Sequence, residues 1–309
     1  MKLVSVVTQC RNEEDNVYEV YEQVKAVFSQ LPDYRYEHLF IDNASTDRTV
    51  HILREIAASD GNIKVILNAR NFGVVRSPYY ALLQASGDAV ISLVADLQDP
   101  PLLIRDFLQK WEEGFKIVAG VKDRSEESPL FFSFRKFYYN LVNRLSDVEL
   151  LENFYGFGLY DRSVVEILKK FDDPYPYFRG LICEVGSEMA IVYYTQPVRR
   201  RGKKKVNFYS LFDTAMLGLT NHSKVPLRLA TMLGFALAVL NLIVAAGYLI
   251  YKLICWSSFS VGMAPIVIGL FFFASVQLFF VGIIGEYVGS IHTQVQKRPL
   301  VIEKERINF

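Results

Sequence analysis

The chain has 309 residues with 34 basic and 33 acidic side chains, and its formal charge of +1 excludes a general electrostatic case for nucleic-acid binding. That length permits one large domain or two smaller ones. Three cysteines, Cys10, Cys183 and Cys255, form no CxxC pair and no even set, which argues against a disulfide framework and fits a reducing compartment.

The opening MKLVSVVTQCRNEED has an apolar run too short for a signal peptide, so the first part of the chain is expected in the cytoplasm. Leu3–Thr8 reads as a buried strand. Glu13–Phe28 has helical apolar spacing at Val17, Val20, Tyr21, Val24 and Val27. His38–Asp42 predicts a second strand, Thr46–Ala58 a helix and Ile63–Leu67 a third strand. Val75–Ala85 predicts a helix with Pro78 in its first turn. Ala89–Ala95 is a fourth strand, Pro100–Glu113 a helix and Phe115–Val121 a fifth strand. Alternating strands and helices imply an α/β fold with a mostly parallel sheet covered on both faces. Ligands of such sheets bind beyond the carboxyl ends of the strands. That rule singles out the loops after Thr8, Ile41, Leu67, Ala95 and Val121.

Further on, Ser133–Leu145 has helical character, Pro174–Cys183 is aromatic and Ile191–Val198 reads as a strand. A basic run, Arg199-Arg200-Arg201-Gly202-Lys203-Lys204-Lys205, precedes an amphipathic segment, Phe208–Leu219, expected to lie on a membrane surface. Two charge-free stretches follow, Leu229–Tyr251 and one inside Leu253–Gly285. Each is long enough to span a bilayer, which takes about 20 apolar residues. Lys224 and Arg228 before the first span, and Lys297, Arg298, Lys304 and Arg306 after the second, place both termini in the cytoplasm. The expected organisation is a cytoplasmic domain over 1–206, a surface helix over 207–226, a hairpin of spans near 227–254 and 261–287, and a tail over 291–309.

The strand-end loops hold a polar set: Arg11-Asn12-Glu13-Glu14, Asp42-Asn43-Ala44-Ser45-Thr46-Asp47, Arg70-Asn71-Phe72-Gly73 and Asp96-Leu97-Gln98-Asp99-Pro100-Pro101. With the two spans, these motifs resemble the family 2 inverting glycosyltransferases of GT-A fold, and among them the polyprenyl-phosphate sugar transferases, over essentially the whole chain. The resemblance implies a nucleotide-sugar donor, UDP- or GDP-linked, a polyprenyl-phosphate acceptor, a Mg²⁺ or Mn²⁺ ion, an inner or plasma membrane location and a homo-oligomer.

By the same resemblance Asp96 and Gln98 hold the metal, which steadies the departing pyrophosphate. The family's first acidic position is Val94 here. Asn12, Glu13, Asp42, Arg70, Asn71 and Gly73 would line the donor pocket. The alternatives are a loop-organising carboxylate for Asp42, a first-turn helix residue for Glu13 and a tight turn for Arg70–Gly73. Asp99 before two prolines reads as a helix N-cap. Asp47 suits the first turn of its helix. Arg199, Gly202 and Lys205 match the family's RxxGxSK and would grip the donor pyrophosphate or the lipid phosphate. The same basic run attracts anionic lipid. Arg124 and Arg135 are further candidates for the acceptor phosphate, and Arg135 also reads as part of a solvated helix face. Asp96, Arg199 and Lys205 are thus the expected catalytic set.

One departure bears on mechanism. Where family members read GDFRLxDR, this chain has Tyr155-Gly156-Phe157-Gly158-Leu159-Tyr160-Asp161-Arg162, so the candidate base falls on Gly156. A hydroxyl acceptor needs a general base. A phosphate monoester, with a second pKa near 6, is already largely dianionic at neutral pH. The alternatives are a different lipid acceptor, such as a glycerolipid hydroxyl, or a non-catalytic nucleotide-sugar-binding partner in polysaccharide assembly.

Overall fold

The computed structural model describes residues 1–123, 151–197, Met216, Ser223, 225–254 and 263–309. Arg124, Arg135, Arg199 and Lys205 lie outside them, as do the expected helix Ser133–Leu145 and, apart from helical Met216, the expected surface helix Phe208–Leu219.

The elements run β1 (Lys2–Cys10), α1 (Val17–Phe28), β2 (Tyr34–Asp42), α2 (Thr49–Ser59), β3 (Ile63–Asn68), α3 (Gly73–Gln84), β4 (Ala89–Val94), a 3₁₀ turn (Pro101–Leu103), α4 (Ile104–Glu112) and β5 (Ile117–Lys122). After residue 150 come β6 (Phe154–Asp161), α5 (Arg162–Phe171), α6 (Phe178–Glu184), β7 (Met189–Tyr194), α7 (Val225–Ile254), α8 (Met263–Val295) and β8 (Glu303–Ile307). The eight strands form one sheet in the order β7-β5-β6-β4-β1-β2-β3-β8.

Strands β1 to β4 pair in parallel, as do β5 and β7. β6 is antiparallel to β4 and β5, and β8 is antiparallel to β3. Both sheet faces are covered, which is why β1 and β4 read as continuous apolar runs. On one face Val20 and Val24 of α1, Leu53 of α2 and Phe107 of α4 pack on Val4, Phe40 and Ile91. On the other, Tyr79 and Leu82 of α3, Leu168 of α5 and Leu181 of α6 pack on Val7, Ile41 and Val90. Truncating a buried phenylalanine such as Phe107 to alanine costs about 3–5 kcal/mol.

Local chemistry moves several boundaries. α2 starts at Thr49, later than its apolar spacing predicts, because Asp47 accepts bonds from the Thr49 amide (3.0 Å) and hydroxyl (2.6 Å) and holds a turn before the helix. α3 starts at Gly73, so Pro78 lies inside the helix and not in its first turn. There it forgoes the bond to the carbonyl four residues earlier. β6 and α5 were not expected as elements. In β6, two glycines replace side chains that would signal a strand. In α5, Asp161 caps the helix, accepting from the Ser163 amide at 3.0 Å.

At the C-terminal end, α7 and α8 are both helical where spans are expected. Among the described residues one stretch, Phe272–Val295, is long and apolar enough to cross a membrane, and the apolar stretch Val225–Leu240 is shorter. α8 meets the sheet domain through Gln294, which donates to Asp173 Oδ1 at 2.8 Å. The Tyr287 hydroxyl donates to the Ser223 carbonyl at 2.6 Å.

The 291–309 segment is structured, in contrast to a plain tail. It extends α8 to Val295, and β8 then completes the sheet edge with Val65 opposite Ile307 and Leu67 opposite Glu305. Arg54 pairs with Glu305, and the Asn308 side chain donates to the carbonyls of Ala57 (2.7 Å) and Ile63 (2.9 Å).

Candidate active site

The parallel register sets the site. Cys10 stands opposite Asp42 and Gln9 opposite Val94, so the loops leaving β1, β2 and β4 emerge side by side at the carboxyl edge. β5 and β7 end nearby at Lys122 and Tyr194, a paired couple in the register, and β6 enters at Phe154 opposite Val121.

The β1 and β2 loops are laced together. Asn12, in the left-handed region at φ 53°, donates its amide to Ser45 Oγ at 2.8 Å and accepts from the Thr46 amide at 2.8 Å. Glu13 precedes α1; its amide donates to Thr49 Oγ1 at 2.9 Å and its carboxylate accepts from Asn16 at 2.6 Å. Asp42 is 1% exposed and accepts from the Ser45 amide at 2.9 Å and from the Ser45 hydroxyl. Burial raises its pKa above the usual carboxylate range, and the hydrogen bonds from Ser45 offset part of the rise. Asp42 therefore organises its loop in this structure, and Asn12 fixes where that loop stands.

Asn43 is the knot of the next loop. Its amide side chain donates to Asn71 Oδ1 (2.8 Å) and the Gly73 carbonyl (2.9 Å), and its oxygen accepts from the Phe72 amide at 2.8 Å. Asn71 also accepts from the Gly73 amide at 2.9 Å, closing a tight turn. Gly73 sits at φ 85°, a conformation glycine adopts without strain. The Arg70 guanidinium lies 4.0 Å from the centre of the Phe72 ring.

Asp96 and Gln98 occupy the turn after β4. Asp96 Oδ1 accepts from the Gln98 amide at 3.1 Å, and Leu97 between them is left-handed at φ 59°. A cleft of about 140 Å³ opens against Asp96, lined by Leu97, Pro100, Pro101, Glu19, Gln23 and Pro197. A larger cavity, about 490 Å³, lies at the opposite edge of the sheet around Trp111 and Asp161, away from the strand-end loops.

Asp99 does not cap the helix, as its place before two prolines suggests; Pro100 stands at the N-cap without a side-chain bond. The Asp99 carboxylate turns inward, accepting from the Tyr194 hydroxyl at 2.9 Å and the Val94 amide at 3.3 Å. Burial pushes its pKa up to about 6, against the pull of Tyr194 and the Lys122 charge.

Beyond Asp99 lies a group with no clear signal in the sequence. The Tyr155 ring is flanked by Lys122 Nζ at 4.2 Å and the Arg179 guanidinium at 4.3 Å from its centre. Only Lys122 was foreshadowed, since the loop after Val121 is a strand-end loop. Gly156 follows at φ 95°, and a Cβ built there would stand 3.1 Å from the Phe178 ring. A Cβ on Gly158 would lie 2.3 Å from the Val118 carbonyl oxygen, so no side chain fits. Asp161 and Arg162 serve the far edge: Asp161 accepts from Trp111 Nε1 at 2.8 Å, and Arg162 donates to the Gly87 carbonyl at 2.8 Å.

Among the described residues no three His, Cys, Asp or Glu side chains converge on a metal position. Asp99 is committed to Tyr194 and Val94 is apolar, which leaves Asp96 as the carboxylate of this turn and Gln98 as its second oxygen donor. That set fits a Mg²⁺-like ion, which needs one or two carboxylates and takes its remaining oxygens from phosphate and water.

The sequence profile described as "Glycosyl transferase family 2" matches residues 5–168. The SfII prophage-derived bactoprenol glucosyl transferase of Shigella flexneri is 32% identical, covering 98% of this chain and 97% of its own length. A prophage bactoprenol glucosyl transferase homolog of Escherichia coli is also 32% identical, with 97% and 98% covered. Among solved structures, mannosyl-3-phosphoglycerate synthase from Rubrobacter xylanophilus shares the fold, with a TM-score of 0.50 at 21% identity, covering 70% of this chain and 71% of that one.

Proposed function

This chain belongs to glycosyl transferase family 2 and is a glycosyltransferase, and from that premise we propose that it moves a sugar from a nucleotide-sugar to a polyprenyl phosphate at a membrane. The observation that carries the reading is the end-to-end likeness to bactoprenol glucosyl transferases, which covers 97–98% of this chain.

The donor nucleotide would lie over the loops of Asn12, Glu13, Asp42 and Arg70–Gly73, with its pyrophosphate toward Asp96. A bound Mg²⁺ or Mn²⁺ would supply charge neutralisation of the leaving diphosphate. Asp96 and Gln98 would hold that ion. An oxygen of the lipid phosphate attacks the anomeric carbon. The new carbon–oxygen bond forms as the bond to the nucleoside diphosphate breaks, and the bond's electron pair leaves on the diphosphate, inverting the carbon.

No proton has to be removed from a dianionic phosphate. Gly156 in place of a carboxylate fits this acceptor and disfavours a hydroxyl. The chain's work is then positioning and electrostatics. Lys122 and Arg179 around Tyr155 would join Arg199 and Lys205, and Arg124 and Arg135, as cations for the transferred or departing phosphate. In this reading both α7 and α8 are spans, both termini are cytoplasmic and the spans pair between copies.

The test uses full-length protein in detergent with undecaprenyl phosphate, Mg²⁺ or Mn²⁺ and radiolabelled UDP- and GDP-sugars. Label entering the organic phase, lost in Asp96→Asn, is the expected result. Donor binding without any lipid labelling would end this reading in favour of a non-catalytic role.

A further inference from the structure

Where α8 meets the sheet domain, three arginines come together from three separate segments. Arg76 of α3 is half-buried at the seam, donating Nε to the Pro174 carbonyl at 3.1 Å and a terminal nitrogen to the Pro299 carbonyl at 3.4 Å. Pro299 brings its neighbour Arg298, which is exposed, to the same place. Arg70 belongs to the same seam, since the adjoining Ala69 amide donates to the Ile302 carbonyl at 2.8 Å; its own guanidinium donates to the Asn71 carbonyl at 3.2 Å.

The nearby acids are committed elsewhere. Glu303 pairs with Arg306 at 2.6 Å and Glu305 with Arg54. Asp173 Oδ1 accepts from the Tyr175 amide and Gln294. Among the described residues none of the three arginines has a carboxylate within ion-pair distance. Burial, and then the charges of Arg70 and Arg298, lower the Arg76 pKa, with Tyr175 pulling the other way.

The position says which anion belongs there. Arg298 lies just past Val295, where the membrane-length stretch Phe272–Val295 ends. With Phe272–Val295 as the part of α8 inside the bilayer, in place of the 261–287 expected from the charge-free stretch, Arg298 stands at headgroup depth, where arginines meet lipid phosphates. A guanidinium fork matches phosphate oxygens in geometry as well as charge. We propose that Arg70, Arg76 and Arg298 form a site for the phosphate headgroup of an anionic bilayer lipid, gripped at the seam between α8 and the sheet domain; Arg70 then serves this site and not the donor, whose loop keeps Asn71 and Gly73. The inference rests on reading α8 as a span and does not depend on the sugar-transfer reaction.

The test is native mass spectrometry of the full-length protein in detergent, titrated with phosphatidylglycerol, phosphatidylcholine or inorganic phosphate. Arg298 is the residue to change, since it is exposed and makes no bond the fold needs; thermal melts without lipid check that Arg298→Gln folds like the parent. Retention of phosphatidylglycerol over phosphatidylcholine is expected, weakened about fivefold in Arg298→Gln and further in the Lys297→Gln, Arg298→Gln double variant. Equal retention of the two lipids, or undiminished binding by the variants, would overturn the site. Equally tight binding of inorganic phosphate would overturn the lipid assignment. A protein that binds phosphatidylglycerol but transfers no sugar leaves the site standing and removes only the catalytic reading.

Discussion

The Tyr194 hydroxyl donates a 2.9 Å hydrogen bond to the buried Asp99 carboxylate, tying the end of β7 to the turn that carries Asp96. With Asp99 near 6 in the fold and about 3.9 when unfolded, the folded state binds the proton more tightly. The stability this group contributes is present in full below about pH 4 and is lost as pH rises through about 6. Asp99→Asn should therefore flatten the pH dependence of thermal stability between those values. Tyr194→Phe removes a donor from a buried carboxylate and should cost about 1–3 kcal/mol at neutral pH. Melting curves of the full-length protein across pH check both.

Glu37 has the opposite sign. Burial would raise its pKa, but bonds from Lys64 (2.6 Å), Ser5 (2.5 Å) and Ser86 (2.7 Å) prevail and bring it to about 2. Its stabilisation is present above about pH 4.5 and is lost as pH falls toward 2, on the order of 3 kcal/mol. Glu37→Gln should make the protein less sensitive to acid in that window, as acid-denaturation profiles will show.

Restoring the family's acid should not restore a base. At Gly156, Asp must adopt φ 95° beside the Phe178 ring, a strained placement of about 1–2 kcal/mol before any clash is counted. We expect Gly156→Asp to lower the melting temperature without raising transfer. Gly158→Ala should be worse, about 3 kcal/mol or more, because Val118 backbone must move.

Val94 is 40% exposed at the end of β4 and tolerates a polar side chain. Val94→Asp adds a second carboxylate one residue from the Asp96 turn. The Mg²⁺ concentration for half-maximal transfer should fall by about tenfold, while Asp96→Asn should cut kcat by a factor of about 100 or more. Metal titrations of the lipid-labelling reaction measure both.

Removing residues 303–309 uncovers the hydrogen-bonding edge of β3. The expected outcome is a melting temperature several degrees lower and concentration-dependent aggregation, since an exposed strand edge recruits other chains. Light scattering during the melt reports it.

How much of this was legible beforehand depended on whether a residue's partners are near in sequence. β1 to β5 follow from short apolar runs, because both sheet faces are covered, and their helices from apolar spacing, because one buried face repeats each turn. The strand-end rule found the loops of Asn12, Asp42, Asn71 and Asp96. The Asp99–Tyr194 bond spans 95 positions and leaves no local trace, so Asp99 looked like a helix cap. The cations around Tyr155 come from β5 and α6, and Asn43 ties its loop to Asn71 and Gly73, 28 and 30 positions away. β8 is short and charged, and only its partner β3 makes it a strand.

The pairing of β8 with β3 also has a consequence for motion. A catalytic domain joined to a bilayer by one flexible connection can tilt and spin about three axes. Here the chain leaves the sheet after β7 and comes back from α8 to its far edge strand, with Gln294 on Asp173 beside the return. With α8 in the bilayer, the pairing of β8 with β3 and the Gln294–Asp173 bond would hold that margin of the sheet against the end of the helix and damp tilting and spinning. The strand-end loops would then be held at a near-constant height and heading above the lipid, so that an acceptor diffusing in two dimensions would meet the same face at each encounter.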